Sequence, residues 1–191
     1  MSQQQDPQRP RVSLTPEQQA MTDLWEEHTH HEFVTKSYEG TLATMVEDAS
    51  VNHVPVLTGG SGKEELFEFY STFFIPQMPA DIEFIPISRT VGVDRIVDEM
   101  VVRLTHSIDM DWLLPGIPTT GKRVEFPMVV IVQFRDGKMA AERIYWDQAS
   151  VLVQLGLLDA STLPVAGREV VHKVLDPSLP SNELMRRTYK R

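Results

Sequence analysis

The chain contains no cysteine. This removes disulfides, thiol nucleophiles and thiolate metal sites at once. Clustered positive charge is also missing. The 191 residues carry a formal net charge of −9, the wrong sign for a groove that follows nucleic-acid phosphates or for an anionic membrane surface. Long apolar runs are absent too. The longest, Met128 to Val132, is far short of the roughly 20 residues that span a bilayer. The opening MSQQQDPQRPRV is polar and lacks the apolar segment of a signal peptide. What remains is ordinary for a cytoplasmic globular protein, with 41% hydrophobic and 24% charged residues. No nucleic-acid and no membrane partner is therefore expected.

The residues that are present divide the chain. Residues 1–14, rich in Gln and Pro, read as a disordered arm. Thr15-Pro16-Glu17-Gln18 is a helix start, with Thr15 as cap, Pro16 at the first position and Gln18 at capping-box spacing. Met21, Leu24, Trp25 and His28 follow at helical intervals. A short helix is expected from Tyr38 to about Glu47, then a strand over 51–54 closed by the Thr58-Gly59-Gly60 turn. Ser61 with Glu64 reads as a second capping box, opening a helix that carries Leu66, Phe69, Tyr70 and Phe74 and stops before Pro76.

Four long strands are expected next, over 82–91, 96–108, 123–134 and 139–146, with a hairpin at Asp136-Gly137. Helices followed by an antiparallel meander define an α+β fold with the helices on one face of the sheet. Period-two alternation places Met100, Val102, Leu104 and His106 on one face, and Val124, Phe126, Met128, Val130 and Val132 on the matching face of the next strand. A closing helix is expected over 148–158. The extension 159–191 holds one further helical piece, 168–175, and packs on the domain (15–158) or on a partner subunit.

Three segments carry a resemblance. They are Leu104-Thr105-His106 with the stretch from Pro115 to Phe126, the hairpin Phe134-Arg135-Asp136-Gly137-Lys138-Met139, and Glu142 to Gln148 running into Gln154-Leu155-Gly156-Leu157-Leu158. In this order they resemble the SnoaL-like polyketide cyclase and ester cyclase branch of the nuclear transport factor 2-like superfamily. The resemblance implies a cystatin-like cone, with N-terminal helices on a curved sheet around a pocket. It also implies acid–base chemistry on a small organic substrate without metal or organic cofactor. His106 falls on the family's pocket histidine. Val130 stands where the polyketide cyclases carry their acid–base Asp.

Candidate site residues follow from the pattern. His53 is either a core histidine or a pocket base, because imidazole exchanges protons near neutral pH. Asp147 is either the N-cap of the closing helix or the carboxylate that orients His53. His106 is either a pocket residue or a satisfied buried histidine. Tyr145 and Tyr70 are candidate phenol donors to an oxyanion, and Trp112 a rim or lid residue. Phe126, Met128 and Val130 are expected to form apolar wall. His28, His31 and Glu32 share helical spacing with a metal motif, but the expectation is a buried His28 flanked by a solvated charged face, and no metal. Gly59 to Lys63 lacks phosphate-loop spacing.

Three functions fit these residues. One is a cofactor-free acid–base enzyme acting on a hydrophobic carbonyl, lactone or ester compound. Another is a non-catalytic binding or dimerising scaffold. The third is a limonene-type epoxide hydrolase, which needs an Arg between two Asp residues. A void reached by His53, His106 and Asp147 favours the enzyme, and a void filled by aromatic side chains favours the scaffold. A dimer through the outer sheet face would cover Val101, Val129 and Ile131.

Overall fold

The computed structural model describes residues 13–188, so most of the arm expected over 1–14 lies outside the described residues. Helix α1, Pro16–His30, begins at the Thr15 cap with both hydrogen bonds of the capping box in place. It runs into a π-helical turn, His31–Thr35, and then α2, Tyr38–Ala43. Strands β1, Met45–His53, and β2, Thr58–Ser61, follow. Helix α3, Gly62–Glu68, is continued by a second π-helical turn, Phe69–Phe74. Strands β3, Glu83–Val91, β4, Arg95–Thr105, β5, Arg123–Arg135, and β6, Lys138–Trp146, form the meander. Helices α4, Gln148–Leu155, α5, Glu169–Leu175, and α6, Glu183–Thr188, complete the chain.

The six strands form one mixed sheet in the order β2-β1-β6-β5-β4-β3. Only the β1/β6 pair is parallel. The helices expected before the meander are therefore interrupted by a hairpin that adds β1 and β2 to its last strand. The second helix ends at Ala43, and residues 45–50 extend β1 instead. Gly59 and Gly60 belong to β2 rather than to an isolated turn. Gly59 has φ +133° and its Cα lies so close to the Val51 carbonyl that a Cβ would stand 2.1 Å from that oxygen. Only glycine fits there. At α3, Ser61 makes no side-chain cap; Glu65 instead accepts from the Ser61 backbone N–H at 2.8 Å.

The inner face of the sheet matches the alternation read from sequence. Val102, Leu104, Val124, Phe126, Val130, Val132 and Ile144 are buried against Trp25, Leu66, Phe69, Tyr70 and Phe74 from the helices. Each such side chain, fully removed from water, contributes on the order of 1.5–3 kcal/mol. The outer face is partly covered from within the chain. Val101 is fully buried, Val129 and Ile131 are half-buried, and α4 and α5 both contact β5. Helix α5 is fastened by Val171, which is buried, and by Arg168 and His172, which lie 3.2 and 3.4 Å from Glu125.

Candidate active site

Strand register builds the wall of the site. Arg89, Asp98, Val130, Ile144 and His53 are successive cross-strand partners on β3, β4, β5, β6 and β1. One row of the inner face thus runs from a charged pair, through two aliphatics, to an imidazole. Glu142 stands two residues along β6 from Ile144, so it faces the same way. Between this wall and the helices lies a cavity of about 660 Å³, lined among others by Trp25, Phe33, Phe74, Trp112, Met128 and Val130. The polar residues on it include Glu32, His53, Arg89, Asp98 and Glu142.

At one place the two π-helical turns meet the sheet. His28, Glu32 and Glu142 are all buried, and Tyr70 joins them. The Thr44 hydroxyl donates to the Thr41 carbonyl at 2.6 Å, so its oxygen accepts from His28 Nδ1–H at 2.7 Å. This leaves Nε2 facing inward, 3.1 Å from Glu32 Oε1, 4.0 Å from Glu142 Oε2 and 3.5 Å from the Tyr70 hydroxyl. Burial opposes the imidazolium, but the charge and hydrogen bond of Glu32, with help from Glu142, outweigh it and raise the His28 pKa. Burial first, and the Glu32 charge second, push the Glu142 carboxyl up to about 8, against the pull of His28. Burial likewise holds the Tyr70 phenol well above its ordinary value. Glu142 therefore carries a proton at neutral pH, and its carboxyl hydrogen-bonds to no described residue.

The ligand atoms of His28, Glu32 and Glu142 lie within 4.8 Å of one another, a spacing that also suits a metal ion. The expected solvated face around His28 is corrected here, because Glu32, four residues on and on the same face, is buried with it at 3% exposed.

The second polar group on the wall is Asp98. It accepts from Arg89 Nε at 2.7 Å, Arg89 Nη2 at 2.8 Å and Trp25 Nε1 at 2.8 Å. Arg89 also donates to Glu26 at 3.1 Å. The Trp25 ring stacks on His28 with centroids 5.5 Å apart, so one indole touches both polar groups.

His53 sits in a cage of four aromatic rings, Phe69, Phe74, Trp112 and Trp146, at centroid distances of 5.5–5.8 Å. Burial lowers its pKa to about 3. Neutral at any ordinary pH, it is a poor proton acceptor and not the base expected. The pairing of Asp147 with His53 is also corrected. Asp147 accepts from the Ser150 N–H at 3.1 Å as the N-cap of α4. Its parity places it with Arg143 and Tyr145, away from the cavity. Tyr145 is 40% exposed on the outer face, so it is not a pocket phenol.

His106 is fully buried but lies outside the cavity. Its backbone bonds to Lys122 and Gly121, and its Nδ1 is 3.2 Å from Thr120 Oγ1, so it closes the base of the 106–122 loop. Phe126 is buried in the core without lining the cavity, whereas Trp112, Met128 and Val130 do line it. Tyr70 does not line the cavity, and its hydroxyl meets His28 and Glu32 behind the wall. Arg103 is held on the outer face by Glu125 at 2.8 Å. Arg89, Asp98, Glu32 and Glu142 were not picked out from sequence as site residues. Strand parity carried a signal for Glu142, since it alternates with Ile144 and Trp146.

Helices packed on one face of a mixed sheet around an apolar cavity with a few converging ionisable groups define a nuclear transport factor 2-like fold. A sequence profile of the SnoaL-like polyketide cyclase family matches residues 18–155, and the chain belongs to that family. Among solved structures, similar folds include a protein described as a SnoaL-like polyketide cyclase from Jannaschia sp. CCS1, at TM-score 0.59 and 17% identity over 77% of this chain and 99% of that one. AclR from Streptomyces galilaeus matches at TM-score 0.55 and 20% identity, over 72% and 96%. An NTF2-like protein of unknown function from Burkholderia pseudomallei K96243 matches at TM-score 0.55 and 17% identity, over 71% and 97%. At these identities the likeness establishes the fold alone. No curated protein matches the chain.

Proposed function

We propose that the protein is a cofactor-free acid–base enzyme, an isomerase, cyclase or hydrolase, acting on a small hydrophobic carbonyl, lactone or ester compound. The observation that carries this reading is Glu142. Its carboxyl is protonated near neutrality, bonded to no described side chain and placed on an apolar cavity beside the buried His28–Glu32 pair. A neutral acid in such a place donates to a substrate oxygen, and its conjugate base is reprotonated through His28. A filled void would favour the scaffold reading, and the 660 Å³ cavity is open. Epoxide opening is the second reading, because Arg89 lies between Asp98 and Glu26 on the cavity wall. Association through Val129, Ile131 and the exposed Tyr145 ring belongs to the same proposal, with a homodimer as its form.

The test uses ketones, lactones and esters that raise the melting temperature. Each is incubated in deuterated buffer and followed by NMR for turnover or carbon-bound deuterium. Wild type is expected to exchange or convert at least one class, and Glu142→Gln to lose this by about 100-fold or more. Binding without exchange or turnover in every class, or full activity in Glu142→Gln, would overturn the reading.

A further inference from the structure

His53 has the same local device as His28 with the opposite electrostatic result. The Thr58 hydroxyl donates to the Trp112 carbonyl at 2.9 Å. Its one proton is thereby committed, so its oxygen faces His53 Nδ1, 3.1 Å away, as an acceptor. Nδ1 must therefore carry the hydrogen of the ring. A neutral imidazole with Nδ1–H has a bare lone pair on Nε2. That atom has no hydrogen-bond partner among the described residues, although the residue is only 4% exposed and lines the cavity.

No carboxylate lies against the ring to protonate it. The groups packed on it are Phe69, Phe74, Trp112 and Trp146. Burial among them keeps the imidazole uncharged. The other polar groups on the cavity differ in kind, since Arg89 only donates, Glu142 donates while protonated, and the carboxyl groups of Asp98, Glu26, Glu99 and Glu32 already face Arg89, Trp25, Ser88 or His28. His53 is thus a fixed, uncharged acceptor on the wall that no described side chain engages at Nε2. It stands one strand and two residues from Glu142, on the order of 8 Å between backbones.

We infer that His53 is a ligand-binding acceptor, and that the cavity selects hydrophobic molecules carrying a hydroxyl donor, such as a phenol, an enol or a hydroxylated ring, over the same molecules without it. This deepens the proposed function, because it takes the same cavity as the substrate site, but it does not require Glu142 to perform catalysis. A lone pair that a bound ligand buries without donating to it penalises that ligand.

The test needs no substrate. 2-Naphthol and 2-methoxynaphthalene share an apolar body and an oxygen, and differ in the O–H donor. Calorimetry is expected to show wild type binding 2-naphthol about tenfold more tightly. In His53→Phe, which keeps an aromatic ring in the cage, the two probes bind within about twofold of each other. Thr58→Val removes the acceptor that fixes the tautomer and weakens the preference, while Thr58→Ser restores it. Long-range ¹H–¹⁵N spectra of wild type at pH 7 show Nδ1 as pyrrole-type and Nε2 as pyridine-type. A protonated Nε2, failure of 2-naphthol to bind, equal binding of the probes to wild type, or a preference that survives His53→Phe would each overturn the inference. Glu142→Gln retains the preference. Full activity in Glu142→Gln with the preference intact therefore overturns the acid–base reading alone, and an absent preference with Glu142-dependent activity overturns this inference alone.

Discussion

Glu142→Gln replaces the buried acid by a neutral amide of the same size, and its effect on stability is set by a proton. In the folded chain the carboxyl titrates at about 8, against an ordinary value of 4.5. The folded state therefore keeps a proton that the unfolded state has released over that interval. Such a group contributes fully below about pH 4.5 and loses its contribution as pH rises through the folded value. Each pH unit removes roughly 1.4 kcal/mol, so roughly 3 kcal/mol is gone at pH 7 and between about 4 and 5 above pH 8. The groups facing the carboxyl are His28, Glu32 and Tyr70. His28 has a raised pKa and loses stability in the same direction, so wild type alone cannot apportion the slope. The difference between variant and wild type can. Urea unfolding followed by tryptophan fluorescence at pH 4.5, 6, 7 and 8.5 is expected to show Glu142→Gln gaining on wild type at each step. Parallel curves across that range would refute a protonated Glu142, and with it the acid role assigned to this residue.

Two further substitutions test the site's construction. Asp147→Ala removes a helix cap and costs about 1 kcal/mol, a fall of about 2–4 °C in melting temperature, while binding of naphthalene probes is unchanged. A loss of probe binding would restore the link to His53. Val130→Asp puts a carboxylate opposite Asp98 on the inner face. It is expected to destabilise by about 3 kcal/mol or more at pH 8 and by clearly less at pH 4, where the new carboxyl is neutral, as read by thermal denaturation at both values.

Val130 shows why a familiar site position stands empty of charge here. Its neighbour on β4 is Asp98, and the carboxylate of that row is already present, neutralised by Arg89. Strand alternation had placed Val130 on the inner face, but only register could say which residue lies beside it. His106 gives the opposite lesson. Alternation correctly turned it inward, yet β4 ends at Thr105 and His106 bonds into the following loop instead of the cavity.

The sequence alone determined the α+β order, the Thr15 cap, the Asp136-Gly137 hairpin and the apolar inner faces. These rest on interactions within a few residues and on the fixed two-residue period of a strand. It also carried the family, through motifs between residues 104 and 158. Tertiary structure decided the site. Glu32 and Tyr70 lie on separate helical segments, and only the packing of both on the sheet brings them to His28 and Glu142. The cluster of His28, Glu32 and Glu142 joins residues more than 100 positions apart. The states of His28 and His53 depend on what packs around each ring, a carboxyl group at Nε2 in one case and four aromatic rings in the other. Two histidines that look alike in sequence thus have their pKa values moved in opposite directions, up at His28 and down at His53, because desolvation and charge act through space and not along the chain.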